Sequence, residues 1–130
     1  MYSEVTRDIQ VTVLPEYLVE RSKPEEGLYF WIYTIEIANN GHETVQLISR
    51  HWQITDARGH IEHVRGAGVI GEQPILEPER TFRYTSGCPL TTPSGIMVGS
   101  YRFVTDSGEA FDVAIPAFSL DSPQDFKVLN

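Results

Sequence analysis

The sequence has a single cysteine, Cys88, among 130 residues, so no disulfide can form within the chain. A chain this sparing of thiols fits a reducing compartment, and the expected location is cytoplasmic. No apolar run approaches the roughly 20 residues that a membrane helix needs, so no membrane insertion is expected. No short apolar segment follows a basic one at the N-terminus, which argues against a signal peptide. Basic residues are scarce as well. Ten Lys and Arg face eighteen Asp and Glu, a net charge of −8, and a field of that sign opposes binding to a nucleic-acid backbone.

The length fits one domain, and a domain of this size buries about two thirds of its unfolded surface, enough for one core without staples. The hydrophobic fraction of 41% and the charged fraction of 22% are those of an ordinary globular chain. The charge is uneven. Residues 50–102 hold six arginines and five carboxylates, a local +1, while the remainder holds four basic residues and thirteen acids, a local −9.

Alternation with period two dominates the pattern. In residues 6–14, Ile9, Val11 and Val13 face one way and Asp8, Gln10 and Thr12 the other; Pro15 is expected to end this strand by removing a ladder donor. Arg21 to Glu26 reads as a loop. Residues 28–38 form the strongest strand, with Tyr29, Trp31, Tyr33, Ile35 and Ile37 on one face. Asn39-Asn40-Gly41 turns the chain. In residues 45–55 the apolar phase slips between Leu47 and Ile48, which predicts a bulge. Asp56-Ala57-Arg58-Gly59 is hairpin chemistry, with Gly59 left-handed. A short strand follows around Phe82 and Tyr84, another spans residues 96–105, and a last one carries Phe111, Val113 and Ile115 up to Pro116. Seven or eight short strands with turns about every ten residues predict an all-β antiparallel sandwich. Residues 1–120 would form its one domain and residues 121–130 a loose tail, unless Phe126, Val128 and Leu129 dock.

Six of the ten glycines lie between residues 66 and 99. Gly66-Ala67-Gly68-Val69-Ile70-Gly71 matches G-x-G-x-x-G, but Pro74 and Pro78 follow where a dinucleotide fold needs a helix. What survives is a weaker idea. Consecutive N–H groups of Gly66, Gly68 and Gly71 could cradle a small anion, helped by Arg65, Arg80 and Arg83 if these converge. The preferred reading is structural: a glycine loop turning a corner between sheets, with Val69 and Ile70 packed inward. Cys88 is expected to be a buried structural residue rather than a nucleophile. His60 and His63, three apart on a strand, point to opposite faces and cannot share an ion, so no metal is expected. No catalytic constellation is legible, no cofactor is implied, and Trp31 and Trp52 read as core.

Gly66-Ala67-Gly68-Val69-Ile70-Gly71-Glu72-Gln73-Pro74, followed in order by Tyr84-Thr85-Ser86-Gly87-Cys88-Pro89-Leu90-Thr91-Thr92-Pro93-Ser94-Gly95-Ile96-Met97-Val98-Gly99-Ser100-Tyr101, resembles the ApaG family, also called CorD. The likeness runs from about residue 4 to about residue 120. It implies a fibronectin-III-like or immunoglobulin-like β-sandwich. It also implies a bacterial protein of unsettled biochemistry linked to cobalt and magnesium resistance. Eukaryotic relatives carry the domain in an F-box protein and in a protein that interacts with DNA polymerase delta, which implies a protein-binding module. The reading is therefore a non-enzymatic module that binds a protein partner through Gly66–Gln73, through Thr85, Ser86 and Gly87 in a second loop reaching Gly95, or through a sheet edge. An edge strand also leaves a homodimer open. The alternative is a protein that binds pyrophosphate or a nucleotide through the glycine loop.

Overall fold

Two antiparallel sheets face each other in the computed structural model, which describes residues 1–123. One sheet has the order β1-β2-β3-β7: Tyr2–Thr6, Ile9–Tyr17, Tyr29–Asn39 and Thr81–Leu90. The other has the order β5-β4-β8-β9: Ile61–Ala67, Val45–Asp56, Gly95–Thr105 and Ala110–Leu120. A two-residue strand, β6 (Ile75–Leu76), pairs with the start of β4. Two short 3₁₀ turns, Val19–Arg21 and Pro24–Glu26, overlap the expected loop from Arg21 to Glu26. This is the all-β sandwich that the alternation predicts, with fibronectin-III-like architecture.

The inward faces are the apolar ones. Trp31, Tyr33, Ile35 and Ile37 of β3 are buried and Glu36 is exposed. They pack against Trp52, Met97, Tyr101, Phe103 and Phe118 of the opposite sheet. Tyr33, Trp52 and Phe118 form a cluster of tilted and edge-on rings with centroids 5.4–5.9 Å apart, the geometry that aromatic quadrupoles favour. The predicted slip in β4 is real: its register on β8 shifts between Leu47 and Ser49. From there Arg50, Trp52 and Ile54 point inward, while His51 and Gln53 point outward. Gly59 has φ +84°, as its turn requires.

Two strand endings differ from expectation for one reason. β2 runs through Pro15 to Tyr17, because β1 begins at Tyr2 opposite Val13 and leaves β2 with a free edge beyond that point. β9 runs through Pro116 to Leu120, because its register on β8 shifts there: Gly99 faces Ile115 while Met97 faces Phe118. A free edge and a bulge are where a sheet tolerates a residue without an N–H. Phe118 and Leu120, beyond the proline, are buried in the core. Beyond β9, the Asp121 carbonyl accepts the Trp31 indole N–H at 2.8 Å and Ser122 donates to the Pro93 carbonyl at 2.6 Å. Phe126, Val128 and Leu129 lie outside the described residues.

The sandwich closes along one side. β1 and β9, terminal in their sheets, are linked by Tyr2 Oη to Ser119 Oγ (3.2 Å) and by the Ala114 N–H donating to Thr6 Oγ1 (3.2 Å). On the other side the terminal strands are β5 and β7, and among the described residues no strand joins them.

Candidate functional site

Between β5 and β7 the sandwich is open, and a groove lies there. Two hollows of about 320 and 390 Å³ share Ile54, Glu62 and Pro89 and so run together. The inner hollow reaches the core at Tyr33, Trp52 and Met97, with Arg50, Val64, Ser86 and Cys88 on its walls. The outer hollow is lined by Leu28, Ile61 and Leu90, with Asp56, His60 and Thr91. Each wall follows from strand parity. Glu62 and Val64 point inward from β5 because they stand opposite Ile54 and Trp52. Ser86 and Cys88 point inward from β7, opposite Tyr33 and Trp31. Leu28 and Ile61 remain exposed at the mouth.

Two buried groups of the groove, Cys88 and Tyr33, are held in their neutral states. Burial pushes the Cys88 thiol up to about 11, with the nearby Glu62 carboxylate adding to it. Burial also raises Tyr33, against a smaller opposing effect of the Ser86 hydroxyl. Cys88 is a free, buried thiol, the structural role that the sequence suggested.

The glycine loop does something other than cradle an anion. Its carbonyls of Ala67 and Gly68 accept from Arg50 Nη1 at 3.1 and 2.8 Å, so a cation already occupies the concavity. The missing side chain of Gly66 leaves room for that guanidinium: a Cβ there would stand 2.9 Å from both Nη atoms of Arg50 and would push them aside. Several loop N–H groups are also committed: Gly68 donates to Ile48 O, and Val69 and Glu72 bond each other's carbonyls, all at 2.8–2.9 Å. Val69 is buried as expected, but Ile70 at the tip is 55% exposed. Gly71 takes φ +80° at that tip, with open space around it.

The three arginines do not converge. Arg65 points outward from β5, in register with His51. Arg83 lies on the outer face of the other sheet, 4.0 Å from Glu36. Arg80 sits in the turn before β7, where its backbone bonds Asn39 and Glu77. Thr85, Ser86 and Gly87 are not in a loop either. They are the middle of β7, in register with Thr34, Tyr33 and Ile32, and Thr85 shares a 3.0 Å hydroxyl contact with Thr34. Along the chain the run reads as turn chemistry, but it belongs to a strand that turns Thr85 to solvent and Ser86 to the groove. The loop proper is residues 91–94, pinned by Thr92 accepting from the Ala57 N–H at 3.1 Å.

One cluster had no counterpart in the expectations. His51 Nε2 and His63 Nδ1 stand 3.0 Å apart on neighbouring strands. The signal was available: counting outward from the Asp56–Gly59 turn puts His51 opposite Arg65 and diagonal to His63. Among the described residues, no three His, Cys, Asp or Glu side chains gather in a group that could hold a metal ion.

Comparison with known proteins agrees with this fold. Residues 19–105 match the family model described as DUF525, the ApaG domain. The chain is 64% identical to Protein ApaG of Beijerinckia indica over the full length of both. It is 66% identical to Protein ApaG of Rhodospirillum centenum over 123 residues, 95% of each chain. Among solved structures it is similar to the putative ApaA protein from Bordetella pertussis, with a TM-score of 0.87, 48% identity, and 90% of this chain and 95% of that one covered. With two thirds of its length matched by the domain model and relatives this similar from end to end, the chain belongs to the ApaG family.

Proposed function

We propose that this protein is a non-enzymatic interaction module of the cytoplasm that takes an extended segment of another protein into the groove between β5 and β7. The observation that supports this reading is the pairing of two unpartnered strand edges with an apolar channel between them. An extended peptide can add main-chain hydrogen bonds to a free edge while alternate side chains enter pockets. Trp52, Val64 and Leu90 offer apolar seats, Arg50 at the inner end suits an acidic side chain, and Glu62 and Asp56 further out suit a basic one. The thiol in the groove is held protonated, which speaks against nucleophilic chemistry there. A link with cobalt and magnesium resistance would then run through the partner, and not through an ion bound by this chain.

The test is photo-crosslinking in cells. A crosslinking amino acid at Leu28 or Ile61 should give a discrete adduct that Val64→Glu abolishes. The same probe at Val5 or Leu14, exposed on the far strands β1 and β2, should give none. An adduct at twice the chain's own mass would make the partner a second copy, a homodimer through the edge. No adduct at the groove, or equal adducts at all four positions, would sink the reading.

A further inference from the structure

The outer face of the β5-β4-β8-β9 sheet, away from the groove, carries a concentration of positive charge on an otherwise acidic molecule. Arg65, His51 and Ser100 form one row across β5, β4 and β8, since His51 is in register with both of the others. His63 lies beside that row, its Nδ1 3.0 Å from His51 Nε2 and the two rings stacked with centroids 5.2 Å apart. On the far side Ser49 is in register with Arg102. Beneath the missing side chain of Gly66 lies the Arg50 guanidinium. Apart from His63, which stands beside His51, these residues line a shallow hollow of about 340 Å³.

Among the described residues Asp112 is the only carboxylate lining the hollow, and it is already engaged by Arg102 at 3.2 Å. Arg65 has no carboxylate within ion-pair distance among the described residues. The Arg50 guanidinium behind Gly66 is held by the Ala67 and Gly68 carbonyls. Arg65, Arg102 and the His51 imidazole, with His63 beside it, thus share the hollow with one carboxylate, in a chain where acids outnumber bases by eight. Their mutual repulsion leaves a trace: desolvation, then the charges of Arg65 and His63, hold His51 below the ordinary histidine range. Such crowding is unfavourable without a counter-anion, and sheet folding brings these side chains together with nothing else to neutralise them.

We propose that this hollow is a binding site for a phosphate group, either free inorganic phosphate or the phosphate of a small monoester. Neighbouring strands stand about 4.8 Å apart, so a tetrahedral oxyanion seated over His51 meets Arg65 on one side and the Ser100 hydroxyl on the other. Arg65 supplies paired N–H donors, Ser49 and Ser100 supply hydroxyls, and the His51–His63 pair supplies a further donor once it takes up a proton. Binding and protonation of that pair therefore favour each other. The charged groups facing the pair are Arg65 from its own hairpin, Arg102 from β8 and Asp112 from β9. All but Asp112 are cationic, so an anion gains as the pH falls through the histidine range.

The experiment is an amide and histidine-ring chemical-shift titration of the whole chain at constant ionic strength. Its arms are inorganic phosphate, glycerol phosphate, sulfate and a chloride control. Saturable shifts confined to His51, His63, Arg65 and Ser100 are expected with phosphate and absent with chloride. Glycerol phosphate binding at least as tightly would identify the ligand as a monoester; weaker binding would identify it as free phosphate. Sulfate, whose charge is fixed, should bind several-fold more tightly at about pH 6 than at about pH 8. Arg65→Ala, at an exposed position, should weaken phosphate binding about tenfold, with Arg65→Lys between it and wild type. Shifts that stay linear, that chloride reproduces, that centre on the Gly68–Gly71 amides, or that persist unchanged in Arg65→Ala would each overturn the proposal. So would sulfate affinity that is flat with pH.

Discussion

Tyr84 on β7 and Tyr101 on β8 share a hydroxyl–hydroxyl hydrogen bond across the middle of the sandwich, and both rings are buried. Removing one hydroxyl leaves the other buried without its partner, which costs about 1–3 kcal/mol; replacing both with phenyl rings of the same shape leaves nothing unsatisfied. Tyr84→Phe and Tyr101→Phe should therefore each destabilise by about that amount, while the double variant stays within about 1 kcal/mol of wild type. Urea denaturation near neutral pH, with midpoints and slopes compared, reads this directly. Alkaline pH supplies an independent check. Burial raises both phenols well above their ordinary range, more than offsetting the bond that favours Tyr84 ionisation. Their folded pKa values thus exceed the unfolded value of about 10. The stability they contribute is complete below that value and drains away above it, as the unfolded chain alone loses protons. At about pH 11 each group has removed about 1.4 kcal/mol, so the double variant should resist alkali better by about 3 kcal/mol. A double variant as destabilised as the sum of the two singles, or one with an unchanged alkaline limb, would refute the argument.

The two left-handed glycines at the ends of the Gly68–Gly71 turn should separate cleanly. Gly71→Ala meets open space and should lose only the backbone penalty of about 1–2 kcal/mol. Gly68→Ala also places a Cβ 2.1 Å from the Glu72 carbonyl oxygen, so its loss on thermal unfolding should be at least twice as large; equal losses would show that the turn yields freely. Cys88, with its thiol pushed up to about 11 by burial, should react with a disulfide reagent on the order of a hundredfold more slowly than a free cysteine in the native protein, and at the ordinary rate in urea. Rapid native reaction would mean that the groove admits reagent and activates the thiol.

The sequence disclosed most where a residue's role depends on its own strand. β3 was legible because Trp31, Tyr33, Ile35 and Ile37 alternate without interruption, and the β4 bulge because Leu47 and Ile48 break that phase. It disclosed least where a role depends on which strand lies alongside. Pro15 and Pro116 looked like terminators because the rule assumes a ladder bond on the proline nitrogen, and local sequence does not say that one faces a free edge and the other a bulge. β1 was missed because Ser3 and Glu4 are exposed and only pairing with β2 defines it. The anion site failed as drawn for a related reason. Arg65 and Arg83 look interchangeable along the chain, but strand parity sends them to the outer faces of different sheets. The groove needed both sheets at once, since its walls come from strands about twenty residues apart that never pair.

The closed side of the sandwich bears on how this fold can be rearranged. Tyr2 and Ser119 touch although 117 positions separate them, so the two ends of the domain meet on the same flank. A short linker could join them with little loop-closure entropy, and new ends could be opened in an exposed turn such as Asp106-Ser107-Gly108. By the same geometry the whole unit can be spliced into a surface loop of a larger protein without stretching its host, while the β5–β7 flank stays clear on the opposite side.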